Sequence, residues 1–446
     1  MIRPLLVSIL LALLVGCASL SPDGGMQSLR NTVEPRLGQS LPATGEMTAS
    51  EVKALLAEPL DAEHAVRIAL LNNRSLQASY QSLGIADAEW VAMSRPANPI
   101  LSFKRLGLAD AVSIERIVTF DLLQLVKLPA QQRLGKARFE QTQYEVADRV
   151  LSLATEVRKA QIDAVASAQA LDYARQVALA ADAGADLAHN MAVAGNWSKR
   201  DAAQEEAFHA TAQVMVKRAE QSALASRELL TRLLGLDRAD AFQLPAHLPA
   251  LPEAPRVLNA AETEALTLRL DVDLRRQQLV AIHEELGLPK IDTLNLGIIR
   301  ETETGKSPVN GYEVGVELPL FSQGQARNAG TKARYRQAAH MLAQSVIDAR
   351  SQVRERHAAY RSAYEQMALY RDRIIPLRKR IADENMLRYN GMLISTFDLL
   401  ADGREQIEAV SAASEALKNF WLADAELQQA LGGRYPASAS AGDNKP

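Results

Sequence analysis

The chain has 446 residues, 48% of them hydrophobic but only 5% aromatic, with 50 Lys and Arg set against 53 Asp and Glu. The apolar share, carried largely by Ala and Leu, supports closely packed helices around a real core. A net charge of −3 argues against a nucleic-acid partner. Beyond residue 20 no run of 18 apolar residues occurs, so no transmembrane helix is expected in the mature chain.

In chain order, residues 1–16 come first and have the layout of a bacterial secretory signal: Arg3, an apolar stretch over 5–15, then small residues. Leu14-Val15-Gly16-Cys17 resembles the lipobox of bacterial lipoproteins, which implies lipidation of Cys17. In that family an Asp directly after the Cys favours the inner membrane, and Ala18 stands there instead, so the resemblance implies the outer membrane. Cys17 is the only cysteine, which excludes an internal disulfide. Residues 17–57, rich in Gly, Pro and Ser, are expected to form an extended leader.

From residue 58 onward the chain repeats itself. Lys-Ala-Arg-Phe at 136–139 returns as Lys-Ala-Arg-Tyr at 332–335; Arg158 and Arg354, and Gly195 and Gly391, share the same offset of 196. Leu234-Gly235 and Leu431-Gly432 are 197 apart, which implies one inserted residue. A period this long is a duplication of a large unit, not a solenoid repeat. Repeat one is expected over 58–236, repeat two over 258–432. Four prolines in 244–255 make 237–257 a linker, and 433–446 is a small, polar tail expected to be disordered.

Each repeat is read as a helix (61–95; 258–287), two short strands, a very long helix, a Gly-containing turn and a return helix. The first long helix is expected over 130–193, roughly 95 Å at 1.5 Å per residue, and the second over 326–389, with Pro376 as a kink or joint. The strands are expected at 99–108, 112–125, 291–300 and 311–320. In the second strand Ile114, Val118, Phe120 and Leu122 share one face, with Arg116 as an exception, against Ser113, Glu115, Thr119 and Asp121 on the other. In the third, Leu294, Leu296 and Ile298 face one way. About ten residues per strand is what a tilted strand needs to cross a bilayer. Four strands cannot close a barrel, and open edges are not tolerated in hydrocarbon. Membrane entry therefore requires several copies to share one barrel. A soluble sheet packed on a helix fits the same spacing.

Leu318-Pro319-Leu320-Phe321-Ser322-Gln323-Gly324 resembles the strand-to-helix junction of TolC-like outer-membrane efflux proteins, and Gly391 through Phe397-Asp398-Leu399-Leu400-Ala401 is similar to that family's periplasmic tip turn. With the duplication and the strand pairs, the resemblance spans about residues 58–432. It implies a mainly α protein with a membrane β-barrel portion. Long antiparallel helical hairpins would form a trimeric α-barrel, and four strands per protomer would enter a shared 12-stranded β-barrel. It implies a homotrimer set in outer-membrane lipid, working with a periplasmic adaptor protein and an inner-membrane transporter, with no cofactor. By the same resemblance Gly195, Asp201, Gly391, Asp398 and Asp402 are tip or gate candidates, and Pro129, Pro319 and Gly324 are strand–helix junction residues. The family's acidic tip position, six residues after the turn Gly, is matched by Asp201; in repeat two that place falls on Phe397, with Asp398 one later. The family's Asn-Pro near the start of each repeat is replaced by Asn73-Arg74 and Asp271-Val272.

No catalytic constellation or phosphate loop is present, and the seven His (64, 189, 209, 247, 283, 340 and 357) never pair at i,i+4. The leading expectation is a passive exit duct of a tripartite efflux system. The alternatives are an outer-membrane duct for type I protein secretion and a lipid-anchored periplasmic coiled-coil scaffold.

Overall fold

A computed structural model describes residues 19–41, 49–108, 111–258, 261–287, 293–317, 324–433 and 435. The helices are α1 (Met26–Leu37), α2 (Ala49–Leu55), α3 (Ala62–Asn72), α4 (Arg74–Met93), α5 (Leu122–Val193), α6 (Lys199–Leu234), α7 (Ala261–Leu268), α8 (Leu270–Leu286), α9 (Gln325–Leu369), α10 (Ile375–Asn390) and α11 (Thr396–Ala430). The strands are β1 (Ile100–Leu108), β2 (Ala111–Asp121), β3 (Leu294–Glu303) and β4 (Val309–Val316). Two compact units result, and each draws on both halves of the chain. One is Met1–Leu29, Ser79–Ala147 and Leu270–Ile347; the other is Arg30–Ala78, Asp148–Arg269 and Asp348–Pro446.

The first unit holds an antiparallel sheet in the order β1-β2-β3-β4. Its central pairing, from Ser113 opposite Glu303 to Asp121 opposite Asn295, joins strands from the two halves of the chain. Strand β2 stops at Asp121, not near Leu125, because the Asp121 carboxylate accepts the Gln124 N–H at 2.9 Å and caps a helix start. The helix therefore begins at Leu122, and Pro129, expected at the strand–helix junction, lies inside α5. Its missing N–H removes only the bond to the Leu125 carbonyl. Helices α4 and α5 approach closely at Gly135, where a Cβ would sit 2.9 Å from Trp90. Trp90 then stacks on Phe139 at 5.5 Å. Ser21 donates through its N–H and hydroxyl to the buried Asp87 at 2.8 and 3.0 Å, pinning the described start of the chain to α4.

The leader is not extended throughout. Leu29, Val33 and Leu37 recur every four residues and are buried, which explains why α1 forms.

The second unit is helical. The helices expected over 61–95 and 258–287 are each broken in two, at Asn73 and Arg269. Asn73 uses both ends of its amide: its Oδ1 accepts the Leu76 N–H at 3.0 Å to start α4, and its Nδ2 donates to the Leu233 carbonyl at 2.9 Å. Beside it, Asn72 packs so tightly on the end of α6 that a Cβ on Gly235 would meet its carbonyl oxygen at 2.4 Å. Gly432 stands against Leu268 in the same way, a Cβ there meeting its carbonyl carbon at 2.9 Å, so the duplication holds in space. The Pro-rich linker is strapped down through its carbonyls. The Tyr364 hydroxyl donates to Pro252 and Glu253 at 3.2 and 2.6 Å, and the Trp421 indole donates to Pro249 at 2.9 Å. Tyr360 and Phe420, fully buried with ring centroids 5.4 Å apart, form the core beneath.

Pro376 does mark a joint. One π-helical turn, Tyr370–Ile374, precedes it, and the Ile375 N–H reaches back to the Tyr370 carbonyl. A π turn accommodates an extra residue in a continuing helix.

Candidate channel sheet and helical turns

The register sorts the sheet's side chains into two unlike faces. One carries Leu101 and Phe103 of β1, Val118 and Phe120 of β2, Leu296 and Ile298 of β3, and Tyr312 and Val314 of β4. Large apolar groups on it stand open, Leu101 at 73% and Tyr312 at 80%. The other face carries Glu115, Asp121, Glu301, Glu303 and Glu313 with one cation, Lys104, whose ammonium lies 3.8 Å from Glu115. Gly297 lies on this acidic face, where a Cβ would press on Ile117 and Glu313 at 3.3 and 3.4 Å. The outer strands β1 and β4 have no neighbour on their far sides within the described sheet. No described helix is long and apolar enough to cross a membrane, a fact that leaves a β-barrel untouched.

In the second unit two turns close the helical hairpins. Helix α5 ends where the Asn196 N–H donates to Met191 O at 2.9 Å, with Gly195 left-handed at φ 77°. Helix α10 ends the same way, with the Leu393 N–H on Arg388 O at 2.9 Å. There the left-handed residue is Met392 (φ 57°), while Gly391 has φ −83°. The turn expected at Gly391 thus falls one residue later.

The return helices are capped alike. Ser198 and Ser395 are the N-caps of α6 and α11, and each hydroxyl accepts a backbone N–H from the Asp three residues on, at 3.1 and 3.2 Å. Asp201 and Asp398 are therefore equivalent, 197 apart, although the offset of 196 sets Asp201 against Phe397. The added residue enters between Arg354 and Arg388, the interval that contains the π turn. The Ser395 hydroxyl, then its backbone N–H, hold the Asp398 carboxyl below the usual carboxylate range. The Asp398 carboxylate completes a capping box by accepting the Ser395 N–H, whereas that of Asp201 accepts only the Ser198 hydroxyl, at 2.7 Å, as a hydrogen bond. Asp402, half-buried one turn on, is the counterpart of Glu205 at the same offset of 197.

Sequence reasoning missed Glu205. It is buried and accepts from the Arg404 guanidinium at 2.6 Å, tying α6 to α11. Arg404 also lies over the Phe208 and Phe397 rings at 5.6 and 5.9 Å, and Phe397 meets Trp197 edge-on at 6.1 Å. The only trace in the sequence is Gly184 on the facing helix, where a Cβ would lie 3.9 Å from the Glu205 carboxylate. Gly324 is left-handed (φ 72°), and its carbonyl accepts the Asn328 N–H at the start of α9. Cys17 and Pro319 lie outside the described residues. Among the described residues no group of three or more His, Cys, Asp or Glu is placed to hold a metal ion.

An open sheet with a bare apolar face, feeding duplicated helical hairpins, defines a class: the chain has the fold of the TolC-like outer-membrane channels. The likeness lies in structure, since no protein-family model and no curated protein matches the sequence. The outer-membrane channel OprN superposes with a TM-score of 0.72 at 17% identity, covering 93% of this chain and 96% of its own. The Campylobacter jejuni CmeC outer membrane channel gives 0.72 at 16%, covering 84% and 86%. The open state of the Neisseria gonorrhoeae MtrE outer membrane channel gives 0.69 at 19%, covering 83% and 89%.

Proposed function

We propose that this protein is the outer-membrane exit duct of a tripartite efflux system, passive and without a cofactor. Three protomers contribute four strands each to one barrel, and the duct is fed by an inner-membrane transporter through a periplasmic adaptor. Residues 1–16 are removed as a signal peptide, and Cys17 carries the lipid anchor. The tip of the duct is placed at the turns around Gly195 and Gly391–Met392. Repeats over 58–236 and 258–432, with the linker 237–257 between them, are the units of this design.

One observation carries the reading. The sheet has an exposed apolar face and two unpaired edges. In water such edges invite aggregation, and in hydrocarbon they must be paired. Further strands from identical chains satisfy both demands, with the apolar face on lipid and the acidic face on the lumen. The scaffold alternative leaves the apolar face unexplained.

The experiment is reconstitution of the full chain in planar bilayers together with mass determination in detergent. A trimer with steady, cation-preferring conductance is expected. A monomer, or a trimer without conductance, refutes the duct.

A further inference from the structure

The apolar face of the sheet is interrupted by a group of arginines. Arg116 of β2 stands directly opposite Arg300 of β3, and Arg105 of β1 is the diagonal neighbour of Arg116, with all three side chains on that one face. All three are exposed. Like charges placed directly opposite on neighbouring strands repel. No carboxylate shares the face, because the register sends Glu115, Glu301 and Glu303 to the other side. Among the described residues Arg116 meets neutral groups, the Thr302 hydroxyl at 3.3 Å and the Phe103 ring at 5.9 Å. Neither Arg105 nor Arg300 has an ion pair among the described residues.

The position of the group is equally informative. Rows of Leu294, Leu296 and Ile298 lead away from the helices, and Arg300 comes next in the same file. The arginines thus interrupt the apolar band near the β3–β4 turn, where Thr304 pairs back to Val112; on that face only Ile114 and Val112 of β2 continue it past them among the described strand residues. If the band lies in hydrocarbon, its far border lies among headgroups. Guanidinium forks bind phosphate oxygens two at a time, and phosphate is the dominant anion at that depth.

We infer that Arg105, Arg116 and Arg300 form a binding site on the outer wall of the barrel for the phosphate of an anionic lipid, in the leaflet remote from the helices. The inference rests on the barrel reading of the sheet. A bound phosphate would relieve the Arg116–Arg300 repulsion.

Native mass spectrometry of the detergent-solubilised full chain tests this with two probes that share acyl chains, dioleoyl phosphatidic acid and dioleoylglycerol. The wild type is expected to hold the phosphatidic acid at least about tenfold more tightly, and raised salt should erase the difference. R105Q/R116Q/R300Q should lose the preference. Should that variant fail to fold, the single R300Q, which removes the repulsion, must weaken it, and the wild-type salt titration stands by itself. Excess inorganic phosphate should not displace the lipid; displacement would make this a free-phosphate site and overturn the inference. Equal binding of both probes by a chain that conducts in bilayers overturns the inference alone. A chain that does not conduct overturns the barrel and this site together.

Discussion

Gly195 and Met392 hold the same position in the two hairpin turns, both left-handed, one as glycine at φ 77° and the other as a methionine at φ 57° that is 94% exposed. A left-handed side chain costs about 1 kcal/mol that glycine does not incur. Repeat two has a glycine available at 391, but the residue added upstream moves it one place out of register.

Met392→Gly should therefore stabilise the protein by about 1 kcal/mol, and Gly195→Ala should destabilise it by a similar amount. Thermal melts of both variants check the pair. Equal melting temperatures for Met392→Gly and wild type would show that the turn is relaxed in solution.

The Glu205–Arg404 pair ties the two return helices together close to those turns. Glu205 is almost fully buried, with Arg404 about one-fifth exposed. Removing one partner leaves a buried charge uncompensated. Arg404→Ala should cost about 3 kcal/mol, and Glu205→Gln with Arg404→Met together should cost clearly less than the sum of the single changes. A denaturant double-mutant cycle reads the coupling, and strict additivity would mean that the pair contributes nothing.

Much of this was legible in the chain. Period-two alternation in the strands and near-identical words at 136–139 and 332–335 revealed two repeats and four strands, because both signals are local. What was not local stayed hidden. The β2–β3 pairing depends on contacts between the halves, and the start of α5 depends on one Asp121 side chain overriding an alternation that continues to Leu125. The one-residue insertion was countable from Leu234-Gly235 and Leu431-Gly432, but not its place, since a π turn carries no composition of its own. That hidden step is why the offset of 196 sets Asp201 against Phe397. Glu205 and Arg404 read as two charges among many on a solvated helix, and only packing separates them from the rest.

The two sheet faces predict opposite responses to the same substitution at neighbouring positions. Val314→Lys places a charge on the apolar face and should cost about 2–4 kcal/mol of membrane stability, reducing the inserted fraction. Glu313→Lys, on the acidic face, should insert normally and shift selectivity toward anions. Flotation and reversal potentials separate them; equal effects of both on insertion would contradict the facing of the sheet.

The Asp201 carboxylate accepts the hydroxyl of Ser198, the cap of α6, yet remains half-exposed at the turn. Asp201→Ala should weaken cation preference or block by divalent ions in single-channel records. Unchanged channels would leave the Asp201 carboxylate only its hydrogen bond with Ser198.

A pH dependence is built into the second unit. Asp424 is buried, accepting from the Tyr435 hydroxyl at 2.6 Å and the Gln428 amide at 2.9 Å. Burial raises its carboxyl above the usual carboxylate range; the Tyr435 hydrogen bond and the charge of Arg256 pull the other way but do not prevail. The folded protein therefore holds this proton more tightly than the unfolded chain, whose Asp titrates near about 3.9. The stabilisation from this group is complete below that value and is lost as pH rises through the folded pKa. Asp398 has the opposite sign: its lowered pKa favours the fold above about 3.9 and ceases to do so as pH falls through the folded value. Asp424→Asn keeps the shape and the acceptor for Tyr435 but cannot ionise. Its melting temperature should exceed that of wild type at neutral pH and approach it near pH about 4. Parallel melting curves for the two proteins across this range would mean that Asp424 ionises in the fold as freely as in water.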